Sequence, residues 1–230
     1  MVATSPRPTV ELERSDDLIA LSRARRDRVR FVNVPEAAYF AIDGTEPPGS
    51  EPYMSAIGTL FPIAYALHFA LRGRGVSHPV GMLEGLYWLT PEEVLDGEEP
   101  GVRADSDYHW RWRLLIAVPP PATEAEVEAA IRDAARRRPL PLIDRLQVVR
   151  WAEGPAAQLL HMGAYLAETP SIRQLDLAIR DAGFEPHGLH HEIYLNNPQQ
   201  VGEENARTVI RRPIRPAAEP QAVEAVSVRR

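Results

Sequence analysis

The segment Gly188-Leu189-His190-His191-Glu192-Ile193-Tyr194-Leu195 gathers more potential chemistry than any other stretch of this chain. It reads as a strand. Successive strand side chains take opposite faces, so His190, Glu192 and Tyr194 share one face and His191, Ile193 and Leu195 the other. A glutamate two residues from a tyrosine on a buried strand is costly unless paired or used. Such a carboxylate can balance a ligand cation, or act as a general base because burial raises its pKa. A structural ion pair with an arginine is the competing reading. The adjacent histidines diverge and cannot chelate one metal together. His190 and Glu192 could, but no third ligand is evident, so no metal is expected.

Two aromatic segments stand beside this one. In Glu84-Gly85-Leu86-Tyr87-Trp88, strand alternation puts Tyr87 and Trp88 on opposite faces, with Glu84 on the side of Trp88. At least one of the two rings is then more than ordinary core. In Tyr108-His109-Trp110-Arg111-Trp112, the two indoles share a face and make a flat wall suited to a planar ligand. Core packing is the alternative for both. No GxSxG, P-loop, GxGxxG or HExxH pattern occurs, so a hydrolytic triad or a nucleotide cofactor has no support and no cofactor is expected.

Composition narrows the classes further. The 230 residues contain no cysteine, which excludes disulfides and thiolate chemistry and fits a reducing cytoplasm. The net charge of −6 argues against a dedicated nucleic-acid binder. No apolar run is long enough to suggest a membrane span, and no secretory signal is read at the N-terminus. Of the 16 aromatic residues, nine fall between positions 53 and 112.

The elements that must position these groups follow from periodicity. Residues 1–14 read as a loosely docked lead and 15–30 as a short helix with an acidic start. The five arginines from Arg23 to Arg30 form a solvated face or a local nucleic-acid contact. A strand closing at Asp43-Gly44 precedes a helix over 53–72. That helix has one stripe of Ile57, Leu60, Ala64, Leu67 and Leu71 and a second of Phe61, Tyr65 and Phe69, with Pro62 expected to kink or loosen it. Strands are predicted over 80–90 and 108–118, then a helix over 123–137 opened by a Thr123/Glu126 capping box. The second half repeats the order: strand 156–163, helix 170–182, strands 188–195 and about 207–212. The tail after Pro213 reads as disordered. Strand, helix, strand, strand occurs twice, which points to an internal duplication.

Residues 31–213 resemble the GyrI-like small-molecule-binding proteins. The ordered set that carries the resemblance is Ala41-Ile42-Asp43-Gly44, Ala64-Tyr65-Ala66-Leu67-His68-Phe69, Leu83-Glu84-Gly85-Leu86-Tyr87-Trp88, Trp110-Arg111-Trp112, Gln158 to Tyr165, and His190 to Leu195. The resemblance implies an α+β fold. Two pseudo-symmetric strand–helix–strand–strand units (about 31–120 and 145–213) form one antiparallel sheet, with two helices flanking a ligand groove. It places Glu192 in that groove.

The Glu-Gly-Leu-Tyr-Trp strand and the Trp-x-Trp pair are similar to a subgroup that hydrolyses spirocyclopropane DNA alkylators of the yatakemycin and duocarmycin kind. That likeness implies a cofactor-independent hydrolase of planar apolar natural products, serving detoxification or antibiotic resistance. Glu192 and Tyr194 would be catalytic. Tyr65, Phe69, Tyr87, Trp88, Trp110, Trp112, Tyr165 and His190 would bind the ligand. A drug-sequestering or sensing protein without turnover is the alternative. Residues 1–30 are too short for a helix-turn-helix, which disfavours a DNA-binding regulator.

Overall fold

The structure is a computed structural model that describes residues 10–88 and 111–217. It is an α+β fold, as the sequence predicts. The first unit is β2 (Arg30–Gly44), α2 (Glu51–Gly73), β3 (Leu83–Trp88) and β4 (Arg111–Ala117). The second is β5 (Gln147–Met162), α4 (Thr169–Asp181), β7 (His190–Tyr194) and β8 (Arg207–Pro216), with a short β6 (Phe184–Pro186) inserted. Helix α3 (Glu124–Arg137) joins the two units, β1 (Glu13–Arg14) and α1 (Leu18–Leu21) precede them, and α5 (Pro198–Val201) lies between β7 and β8.

The strands run β1-β2-β4-β3-β7-β8-β5, and β5 also pairs with β2. Six strands therefore close on themselves, all pairing antiparallel, while β1 joins β2 in parallel. Closure gives the sheet an inside and an outside. Helix α2 packs outside β2 and β4 with α3 against it, and α4 packs outside β5, β6 and β8. Strands β3 and β7 lie between these two helical covers.

Under α2 the outer core contains Phe40, Ile42, Leu60, Ile63, Leu67, Trp112 and Leu114; under α4 it contains Leu159, Leu175, Ile179 and Ile210. Helix α2 is long and apolar enough to cross a membrane by length and composition, the one such helix among the described residues. Its fully buried Leu60, Ile63 and Leu67 belong to the core, and it continues without interruption through Pro62.

Local signals hold where they are self-contained. The Thr123/Glu126 capping box forms as read and starts α3 at Glu124. Three expectations change. The helix predicted over 15–30 is only α1. Asp17 caps its start, and the Leu21 carbonyl at its end is claimed by the side chains of Gln158 and Arg30, so the arginine-rich stretch does not continue it. Strand β5 begins at Gln147 rather than 156, because pairing with β2 carries it through Gly154-Pro155, which reads locally as a break. Strand β8 continues past Pro213 to Pro216, held by β6.

Inside the ring lies a buried ion cluster. The imidazole of His191 stands between two carboxylates, Nε2 at 3.1 Å from Glu84 and Nδ1 at 3.0 Å from Glu153. With an acceptor at each nitrogen, both must donate, so the ring is an imidazolium. Arg211 donates to Glu153 at 3.1 Å and to Gln158 at 2.8 Å. Two cations thus balance two anions. Burial opposes the charge on His191, but Glu153 and Glu84 outweigh it and hold its pKa up to about 9. Burial likewise opposes ionisation of Glu153, yet His191 and Arg211 keep its pKa below the usual value.

Replacing His191 leaves two carboxylates facing each other in the interior. His191→Gln is expected to lower stability by about 3–5 kcal/mol, measured by urea unfolding at pH 6. The folded pKa lies above the ordinary 6.5, so the contribution is complete below pH 6.5 and lost as pH rises through about 9. The stability gap between wild type and variant should therefore narrow across that window.

Candidate active site

The outer faces of β3 and β7 line the space between the helical covers. Residues His190, Glu192 and Tyr194 point there, and His191 and Ile193 point inside, as strand alternation requires. The register sets Tyr87 beside His190, Gly85 beside Glu192 and Leu83 beside Tyr194. Gly85 matters because a Cβ there would lie 2.6 Å from the Tyr87 hydroxyl. Without it, the Tyr87 ring leans back over its own strand toward Tyr194.

Four side chains form one hydrogen-bond chain. Tyr194 donates to Glu192 at 2.8 Å, the Tyr87 and Tyr194 hydroxyls are 2.5 Å apart, and those of Tyr53 and Tyr87 are 2.7 Å apart. A phenol has one hydrogen to give. Because Tyr194 gives its hydrogen to Glu192, Tyr87 must donate to Tyr194 and Tyr53 to Tyr87. The chain is therefore directional, ending on the carboxylate. Burial, first of all, pushes the pKa values of Tyr53, Tyr87 and Tyr194 up, so all three stay protonated and remain donors. The second Glu192 oxygen lies 3.1 Å from Nε2 of His190. The Glu192 side chain keeps 13% of its surface exposed, while that of His190 keeps 1%.

Tyr165, in the turn before α4, stands edge-on to Tyr194 with ring centroids 5.6 Å apart and is half-exposed. Burial and then the charge of Glu192 raise its pKa. Tyr65 and Phe69 stack at 6.3 Å on the outer side of α2 and are 48% and 59% exposed. They lie on the flank of α2 away from Thr59, whose hydroxyl accepts from Leu142 on the α3 side.

The structure does not bring Trp88 to this cluster, and Trp112 meets it only from the buried side. Trp88 shares the parity of Glu84 and Leu86 and packs against Tyr39, Ala41 and Leu86 on the other face of the sheet. Trp112 has no exposed surface. It lies under α2 against Gly44, edge-on to Tyr53 at 5.1 Å, and its indole donates to the Glu46 carbonyl at 2.7 Å. It thus backs the tyrosine chain without facing solvent. Trp110 lies outside the described residues.

Two members of the cluster are not picked out by sequence reasoning. Tyr53 opens α2 and connects to β3 only through the fold. Glu168, just before α4, is 2% exposed, and one of its carboxyl oxygens, a ring nitrogen of His190 and a carboxyl oxygen of Glu192 all lie within 4.8 Å of one another. The sequence offered no third ligand beside His190 and Glu192, and Glu168 fills that position. Both Glu192 oxygens are already engaged by His190 and Tyr194, so we read the trio as two carboxyls beside an imidazole rather than a metal centre. The Glu-Thr-Pro run at a helix start was the available signal for Glu168, but it reads as a helix boundary.

No family model matches the chain, and no curated protein matches it. Solved structures do. An uncharacterized conserved protein from Listeria innocua shares 25% identity with a TM-score of 0.73, covering 84% of this chain and 94% of that one. Two Listeria innocua structures described as hydrolases each share 24% identity. Their TM-scores are 0.70 and 0.72, and they cover 86% and 89% of this chain and 97% and 100% of theirs. These likenesses extend over nearly the whole fold of each neighbour and establish the architecture.

The glycine opposite Glu192 is a direct test of the cluster. Gly85→Ala is expected to part the Tyr87 and Tyr194 hydroxyls and cost about 1–3 kcal/mol by overpacking. Urea unfolding and a crystal structure of the variant check both effects.

Proposed function

We propose that this protein binds a planar, apolar, electrophilic small molecule in the groove between α2 and α4 and hydrolyses it. The substrate class we propose is the spirocyclopropane DNA alkylators of the yatakemycin and duocarmycin kind, so that the protein detoxifies them. The observation that carries this reading is the directional chain Tyr53–Tyr87–Tyr194–Glu192, which ends at a carboxylate still reachable from the groove. Two further points support it: the sequence resemblance, and the description of two structural neighbours as hydrolases.

The chemistry asked of the site is modest. Addition of water to the cyclopropane methylene breaks one carbon–carbon bond. Its electron pair moves through the dienone to the carbonyl oxygen, which becomes a phenol on taking a proton. Glu192 orients the water and takes its proton. The hydrogen bonds from Tyr194 and His190 fix the position of that carboxylate. Tyr165, half-exposed and held protonated, is placed to donate to the developing phenolate. The exposed Tyr65 and Phe69 rings supply apolar wall for a flat ligand.

Incubating the purified protein with a spirocyclopropane alkylator and following the product by mass tests the reading. The expected result is gain of one water over many turnovers. Glu192→Gln is expected to lower kcat by about 100-fold or more while ligand binding persists. Tight binding with no change of mass would leave a sequestering protein instead.

A further inference from the structure

Glu168 is buried at the edge of the site and the proposed reaction does not use it. Its backbone takes part in the turn into α4, donating to the Tyr165 carbonyl and accepting from Ile172, but its side chain does not cap the helix. The carboxyl turns instead toward β7. There, one of its oxygens lies within 4.8 Å of donor atoms on Glu192 and His190. Its Oε1 is buried with no hydrogen-bond partner among the described residues, and so is Nδ1 of His190. Among the described residues no cation pairs with Glu168. It is faced from β7 by Glu192 and His190 and from the preceding turn by Tyr165. His161 on β5 is occupied by Ser171 and the Ala164 carbonyl. Two carboxyls this close, one of them buried and without a counter-ion, cannot both carry charge cheaply.

We propose that Glu168 and Glu192 are a carboxyl pair sharing one proton, with Glu168 the proton-carrying member, so that the site presents one acidic hydrogen-bond donor beside one accepting carboxylate. The asymmetry comes from the surroundings. Glu192 accepts from Tyr194 and lies against His190, whereas Glu168 has no such partner among the described residues. Burial and then the charge of Glu192 push the pKa of Glu168 up to about 10, in agreement with this assignment. A groove so built carries a single negative charge. It suits a neutral ligand that offers a carbonyl or similar acceptor to Glu168 while a water or donor hydrogen meets Glu192. This ligand class rests on the function proposed above; the shared proton does not.

The test needs no ligand, so its failure and that of the proposed substrate are separate results. Urea unfolding of the wild type and Glu168→Gln is followed from pH 5 to pH 9. A folded state that keeps a proton the unfolded chain releases loses stability as pH rises. The unfolding constant of the wild type should therefore climb relative to Glu168→Gln, by up to about tenfold per pH unit. In a Glu192→Gln background the climb should level off at lower pH and be smaller overall, because without the neighbouring charge Glu168 ionises more readily in the folded protein. An infrared difference spectrum at pH 7 should show a protonated-carboxyl band that Glu168→Gln removes. A pH-independent gap between wild type and Glu168→Gln overturns the proposal. So does a climb that Glu192→Gln leaves unchanged, since burial alone would then hold the proton.

Discussion

The alternation of one five-residue strand, β7, governs both halves of this structure's chemistry. His191 points into a closed ring of strands and the residues on either side of it point out. Inside, His191 must be charged, because Glu84 and Glu153 meet its two nitrogens. Outside, His190 and Tyr194 converge on Glu192. A slip of β7 by one residue would exchange the two sets, putting the Glu192 carboxyl in the interior and the His191 imidazolium on the outer face. The internal ion cluster therefore does more than fill space: it fixes the register that presents the site.

The cluster also ties the N-terminal segment to that register. Arg211 and the Gln158 amide share a hydrogen bond, and Gln158 in turn holds the Leu21 carbonyl at the end of α1. A break at His191 would thus be felt at α1, which covers the ring near Val32 and Val34. On the outer face, rigidity has a different origin. There, three phenols, each with a single hydrogen to give, are ordered toward the one carboxylate that accepts, and Trp112 backs Tyr53. The polar chain polarises in one sense, toward Glu192.

Much of this was legible from local pattern. The face shared by His190, Glu192 and Tyr194 follows from period two, and the α3 start follows from four residues of capping box. The opposite facing of Tyr87 and Trp88 was equally plain, and with Glu192 assigned to the outer face it is the register to β7 that separates Tyr87 from Trp88. That register is a long-range fact. The same holds for Trp112, whose size suggested a ligand wall but whose position under α2 depends on where that helix docks. Tyr53 and Glu168 were missed for one reason. Each sits at a helix start, where the sequence explains a polar residue by its own turn, and only the closure of the sheet carries them to β7. The truncation of α1 has the same cause, since its terminal carbonyl is bound by Gln158, more than half the chain away.

The acidic side chains of the cluster, Glu168 and Glu192, both belong to the second unit, whereas Tyr53 and Tyr87, which feed hydrogen bonds toward Glu192, belong to the first. In a chain built by duplication, the ancestral unit would have held an incomplete set of these groups. The seam between the copies, β3 against β7, is where the set becomes whole.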